Sequence, residues 1–161
     1  MSDALILDGL SGSRLAVELD DDERKVLAGV MSLRDLKHAE VLVHEGTADD
    51  HLYVVVSGVL GVVKSAGTAD ELTLNAIRPG DVVGELSFLD GSTRYASLVA
   101  LADSRVLGLS RDALEGLLES RPRLVYRVMR AIVRVVHDIQ RRLSMQTTEL
   151  TNYLYKTHGR Y

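Results

Sequence analysis

Between residues 38 and 110 the apolar positions come in short runs rich in β-branched side chains. These are Val41–Val43, Leu52–Val56, Val59–Val63, Leu72–Ile77, Ala96–Leu101 and Arg105–Leu109. Turn-forming residues separate them at Gly46, Ser57-Gly58, Ser65-Ala66-Gly67, Pro79-Gly80 and Asp103-Ser104. Evenly spaced short strands of this kind predict a β-sandwich or jelly roll. The small, polar stretch from Ala66 to Glu71 predicts an exposed hairpin tip.

Helical periodicity flanks this region on both sides. Asp20, Asp21, Asp22 and Glu23 form an acidic first turn, followed at helical spacing by Val26, Leu27, Val30, Met31 and Leu33. Carboxylates at a helix N-terminus offset its dipole, so the run reads as a capped start rather than a metal site. After Leu109, Ser110 is the expected N-cap of a short helix over Arg111–Glu119, and Pro122 opens a long helix to about Met145.

The long helix carries two apolar stripes. One is Val125, Val128, Ile132, Val135 and Ile139; the other is Leu124, Met129, Val133 and Val136. A helix apolar on two sides has two surfaces to cover. The barrel covers one, and the same helix of a second subunit is the expected cover for the other. A charge at Ile132 or Val135 is therefore expected to disrupt self-association.

The pattern weakens at both ends. Residues 1–19 lack a firm period, although Leu5, Ile6, Leu7 and Leu10 can pack on the domain. Residues 146–161 hold Thr147, Thr148, Asn152 and three tyrosines, Tyr153, Tyr155 and Tyr161, again without a clear period. The expected organisation is an N-terminal segment 1–19, one domain over 20–145 and a C-terminal tail 146–161. The fold class is α+β.

Composition narrows the function. A chain of 161 residues, 46% hydrophobic, is long enough for one sizeable core. The net charge of −4 argues against a general polyanion binder. Without cysteine there is neither a disulfide framework nor a thiolate metal site. Neither a leader peptide nor an apolar run of membrane-spanning length is expected. The protein reads as soluble and cytoplasmic.

Candidate chemistry concentrates in Gly84-Glu85-Leu86-Ser87 and Arg94-Tyr95-Ala96-Ser97. A short helical turn beginning at Gly84-Glu85 leaves backbone N–H groups without internal partners, which favours an anion. Arg94 supplies a planar fork that fits phosphate oxygens. Glu85 would repel a bare phosphate, but a carboxylate accepts hydrogen bonds, so it suits a ligand that also carries a hydroxyl. Anion plus sugar hydroxyl describes a nucleotide.

These segments resemble the phosphate-binding cassette of the cyclic nucleotide-binding domain, shared by catabolite-activator-type regulators, cyclic-nucleotide-dependent kinases and gated channels. The gap from Gly84 to Arg94 equals that of the kinase regulatory subunits and is one residue shorter than in the catabolite activator. Supporting marks are Glu45-Gly46, Asp50-His51-Leu52-Tyr53, Val56-Ser57-Gly58 and Arg78-Pro79-Gly80-Asp81. The resemblance covers about residues 20 to 145. It implies that Arg94 holds the cyclic phosphate and Glu85 the ribose 2′-hydroxyl. Val83, Gly84, Leu86, Ser87 and Ala96 would contribute mainly backbone and space.

Tyr95 departs from the small residue common after the arginine. It turns outward, stacks near the base or narrows the mouth of the pocket. By the offset from Arg94, the helical pair that reads adenine in the catabolite activator falls near Ile139 and Gln140. Gln140 either hydrogen-bonds a base edge or is a solvated helix residue, and Tyr153 or Tyr155 is a candidate cap for the base. The cupins share this fold and bind metal through His-x-His, which does not occur here; His38, His44 and His51 stand six and seven apart.

The expectation is a sensor without enzymatic activity and without a cofactor, its ligand a cyclic nucleotide, cyclic AMP slightly ahead of cyclic GMP. Its partners are a second copy through the long helix and an unidentified effector protein. The stretch after Met145 is too short for a winged helix-turn-helix, so DNA binding by this chain alone is not expected. The alternative is a domain that has lost its ligand and serves as a dimerisation or scaffold module.

Overall fold

A computed structural model describes residues 1–158. The chain runs through α1 (Ser2–Ser11), a 3-10 turn at Arg14–Ala16, α2 (Asp21–Ala28), β1 (Ser32–Leu36), β2 (Val41–Val43), β3 (His51–Ser57), β4 (Leu60–Lys64) and β5 (Leu72–Ile77). It continues through β6 (Val82–Val83), α3 (Glu85–Asp90), β7 (Ser97–Ala100), β8 (Ser104–Ser110), α4 (Arg111–Glu115) and α5 (Pro122–His158). Two antiparallel sheets, ordered β1-β8-β3-β6 and β2-β7-β4-β5, face each other as a jelly roll.

The near-continuous apolar runs of β3 and β8 follow from where their sheet lies. Successive side chains of a strand point to opposite faces. In β3, Tyr53 and Val55 point into the roll, among Leu60, Val62, Leu98 and Val106. Leu52 and Val54 point the other way, into a second core with Leu107, Leu109, Leu124, Val128 and Ile132. This sheet is covered on both faces, by the other sheet and by the helices. The far edge of the second sheet is open: β5 exposes residues 72–75, and the hairpin tip before it is exposed as expected.

Several boundaries differ from those the pattern predicts. Gly29 caps α2, so Met31 and Leu33 lie beyond the helix, and Leu33 belongs to β1, a strand not anticipated. The two-residue β6 was also too short to stand out. Gly116 ends α4 at Glu115 rather than Glu119. The N-terminal segment is part of the core, with Leu10, Leu15, Ala16 and Leu19 all buried. Its Leu5, however, is 41% exposed.

The acidic start of α2 is a capping box. Asp20 accepts from the Glu23 N–H at 2.8 Å, and Glu23 accepts from the Asp20 N–H at 3.0 Å. The acidic turn also reaches the start of α5: Asp22 pairs with Arg121 just before it and Glu23 with Arg127 within it, each at 2.7 Å. Glu18 takes Arg130 at 3.3 Å and Arg134 at 3.1 Å, and Arg14 pairs with Asp138. A strap from residue 14 to 23 thus holds the first half of α5.

The long helix runs through Met145 to His158, so residues 146–158 are helix rather than an irregular tail. No glycine or proline interrupts α5 after Pro122. Thr147, Thr148 and Thr157 bond their hydroxyls back to the carbonyls of Leu143, Ser144 and Tyr153 at 3.0, 3.0 and 2.7 Å, which accommodates them in the helix. Tyr161 lies outside the described residues. No helix among them is long and apolar enough to cross a membrane.

Of the two stripes on α5, the first packs into the domain. Ile132 and Val135 are 0% and 2% exposed, so they cannot form a subunit contact. Leu124 joins the same core. The face left open carries Tyr126 and Val133, 61% and 58% exposed, with Val136 half-buried beside them and Met129 half-buried against the core. We expect Ile132→Asp to unfold the domain, at a cost of about 4 kcal/mol or more from an unpaired buried charge, measured by denaturant titration.

Candidate functional site

The site is built where β6 hands over to α3. Gly84 turns the chain there with φ +88°, a left-handed conformation that side chains with a Cβ adopt only with strain. Gly91, with φ +73°, ends the helix. The chain is then pinned to the segment after β2: the Arg94 N–H donates to the Thr47 carbonyl at 2.9 Å, and the Gly46 N–H to the Arg94 carbonyl at 2.7 Å. Arg111, at the start of α4, closes the other end. Its Nε and Nη2 donate to the carbonyls of Phe88 and Ser87 at 2.7 and 2.8 Å, bonding the last turn of α3, where Ser87 also accepts from the Gly91 N–H.

Within this frame the Arg94 side chain is only 5% exposed. Its guanidinium lies against Gly84, where a Cβ would collide with it. Nη2 donates to the His51 carbonyl at 2.5 Å and stands 3.5 Å from Asp49 Oδ2, while Nε is buried without a hydrogen-bond partner. Burying a cation costs free energy unless it is paired and hydrogen-bonded. Arg94 is only partly so, and an arriving anion would complete the set.

Asp49 holds the arginine and is itself held. It accepts from the Tyr53 hydroxyl at 2.9 Å and from the His51 N–H at 2.9 Å. Burial, followed by this hydrogen bond and the Asp49 charge, raises the Tyr53 phenol well above its ordinary value. The Arg94 guanidinium lies 6.0 Å from the centre of the Tyr53 ring. Asp49, Asp50 and His51 bring potential metal-ligating atoms within 4.8 Å of one another. Asp49 is already engaged by Tyr53 and Arg94, however, and His51 Nδ1 lies 2.9 Å from Asp50.

Val83, Gly84, Glu85, Leu86, Ser87, Arg94, Tyr95 and Ala96 all line one cavity, with Val62 and Leu98 at its back. The enclosed space, about 60 Å³, admits a phosphate-sized group, so anything larger must extend through the mouth. Leu86 and Tyr95 stand there, 51% and 63% exposed. Partial burial, then the Glu85 charge, raises the Tyr95 phenol. The Tyr95 carbonyl accepts from Lys64, whose ammonium also pairs with Glu45; that hydrogen bond is the main cause holding the Glu45 carboxyl below its usual range.

Gln140 is not brought to this cavity; it is exposed on α5, and Tyr153 and Tyr155 are also exposed there. Conversely, sequence reasoning passed over Asp49 and Arg111. Asp49 adjoins a noted motif but shows its role only beside Arg94. Arg111 carries no local signal, because its acceptors lie more than twenty residues upstream.

Fold and site together define a jelly roll with a small cavity at its short helix, walled by the buried Arg94. The chain belongs to the cyclic nucleotide-binding domain family, whose sequence pattern matches residues 33–121. A CRP-like cAMP-activated global transcriptional regulator of Mycobacterium tuberculosis is 29% identical over 100 residues. That match covers 62% of this chain and 45% of the regulator, so the chain spans under half of that protein's length. A cyclic nucleotide-binding domain from Methylobacillus flagellatus superposes with a TM-score of 0.75 at 27% identity, covering 87% of this chain and 79% of that one. The regulatory domain of Toxoplasma gondii PKA with cAMP gives 0.61 at 25% identity, covering 71% and 43%.

We expect Gly84→Ala to cost about 1–3 kcal/mol of stability through its backbone conformation. It should also displace the Arg94 side chain. Thermal denaturation and a crystal structure of the variant would show both.

Proposed function

We propose that this domain binds a cyclic nucleotide, cyclic AMP slightly ahead of cyclic GMP, and acts as a cytoplasmic sensor rather than an enzyme. The observation that carries the reading is the buried Arg94 with Nε unpartnered at the wall of a phosphate-sized cavity. The cyclic phosphate bonds Arg94 and the first-turn N–H groups of α3, and Glu85, half-buried beside it, accepts the ribose 2′-hydroxyl. Base and ribose extend through the mouth past Tyr95. The preference for cyclic AMP rests on the relatives' names and on Tyr95, which replaces the small residue whose hydroxyl suits guanine.

Occupancy passes to α5 through packing. Phe88 of α3 shares a core with Leu114 of α4 and with Leu124, Val125 and Val128 of α5. Arg111 ties α4 to the end of α3. A gap of about 240 Å³ among Phe88, Leu89, Leu114, Leu118, Val125 and Met129 leaves room for α3 to move against both helices. The partner that reads this shift is a second copy against the uncovered face of α5, with an effector protein beyond it.

Calorimetry with both cyclic nucleotides tests the reading. Saturable binding to at least one is expected; silence with both supports the ligand-free scaffold instead. Arg94→Ala should weaken binding by roughly 2–4 kcal/mol without loss of the circular-dichroism signal. An unchanged affinity would place the phosphate elsewhere.

A 2′-deoxy cyclic nucleotide should bind the wild-type domain about 1–2 kcal/mol more weakly than its parent. In Glu85→Ala the two should bind alike. Persistence of the difference would remove Glu85 from the ribose.

A further inference from the structure

From Gln140 to Tyr153 every residue of α5 is exposed, so this part of the helix has left the domain. A solvated helix of that length is marginal in water unless something packs on it. Its sequence shows what does. Along the side of α5 turned from the core, the exposed Tyr126 and Val133 and the half-buried Met129 and Val136 follow one another in alternating steps of three and four. Continued past the domain, the same alternation falls on Gln140, Leu143, Thr147 and Leu150. A seam with this mean spacing of 3.5 residues is that of a left-handed coiled coil.

The flanks of the seam select the partner. Beside it in this stretch stand Ser144, Gln146, Thr151 and Tyr153, none of them charged. Arg141, Arg142 and Glu149 fall on the outer positions. Two identical helices therefore meet without like-charge repulsion along the seam, and no charge pattern there recruits a different helix. A second copy of this chain is the occupant.

We propose that Gln140 is a polar layer in this seam that fixes a parallel, in-register, two-stranded pairing, rather than a reader of the nucleotide base. This rests on the second-copy reading above. In a parallel pair Gln140 faces Gln140 and Thr147 faces Thr147, so amide meets amide and hydroxyl meets hydroxyl. An antiparallel pair centred on this stretch sets Gln140 against Leu143 and Thr147 against Val136, leaving polar groups against hydrocarbon. A buried amide without a partner is costly, so the polar layer excludes that arrangement and neighbouring registers. A single polar residue in such a seam lowers stability and specifies register and oligomer number.

The chain has no cysteine, so one introduced thiol reports register without background. Leu150→Cys should form a disulfide-linked dimer under mild oxidation, because a parallel in-register pair places the two thiols side by side. Adding Gln140→Leu should lower that yield, raise the melting temperature and give species larger than dimers by sedimentation, with the affinity for cyclic AMP unchanged. A wild-type chain that sediments as a monomer overturns the second-copy reading itself. A wild-type dimer with no Leu150→Cys cross-link overturns the parallel register. Gln140→Leu that remains a uniform dimer with the same cross-link yield overturns the role assigned to Gln140, as does a weakened affinity for cyclic AMP.

Discussion

A guanidinium withdrawn from water and given fewer partners than it has donors is the constraint on which this structure turns. Arg94 lies beneath the turn at Gly84, held on one side by Asp49 and the His51 carbonyl, with Nε unmet. Such an arrangement survives only if the surroundings are rigid enough to stop the side chain escaping to solvent. The β-bridge between Ala48 and Thr93, the Tyr53–Asp49 hydrogen bond and the missing side chain at Gly84 all serve that end. An electrostatic deficit stored in a fixed place is what makes a cavity selective for an anion.

The second constraint is mechanical. The sheet that carries Tyr53 and Val83 is packed on both faces, so its inner face shapes the cavity while its outer face bears the helices. α3 meets α4 through Arg111 and meets α5 through Phe88. The strap from Arg14 to Glu23 holds α5 by ion pairs at its first half only. These pairs are partly exposed, so each adds little stability. Together they define which part of α5 belongs to the domain and which part projects from it.

Much of the site was legible because it is contiguous. Gly84, Glu85, Arg94 and Ala96 lie within one short segment, so a helix start, a carboxylate acceptor and a guanidinium fork can be read together from the order of residues. The strands other than β1 and β6 were legible because β-branched runs between turns leave few alternatives. The capped start of α2 and the cap at Ser110 were legible too, since each is satisfied within a single helical turn, although the capping box itself appears only in the structure. Of the two readings of Gln140, the exposed helix residue is the one the domain shows, because an offset along a helix gives a position but not the direction its side chain faces. The helix end was misplaced at Met145 because the threonines and tyrosines between residues 147 and 157, weak helix formers in isolation, blur the helical period there.

By itself, then, the order of residues determined the jelly roll and the short segment, with its arginine and glutamate, that lines the cavity. Each of these depends on neighbours within about a dozen positions. Only the folded chain decided that Asp49 holds Arg94, that Arg111 braces α3, and that Ile132 and Val135 are core while Val133 faces outward. Periodicity reports that a helix face is apolar but carries no information about what covers it. That is decided by contacts between residues far apart in the chain.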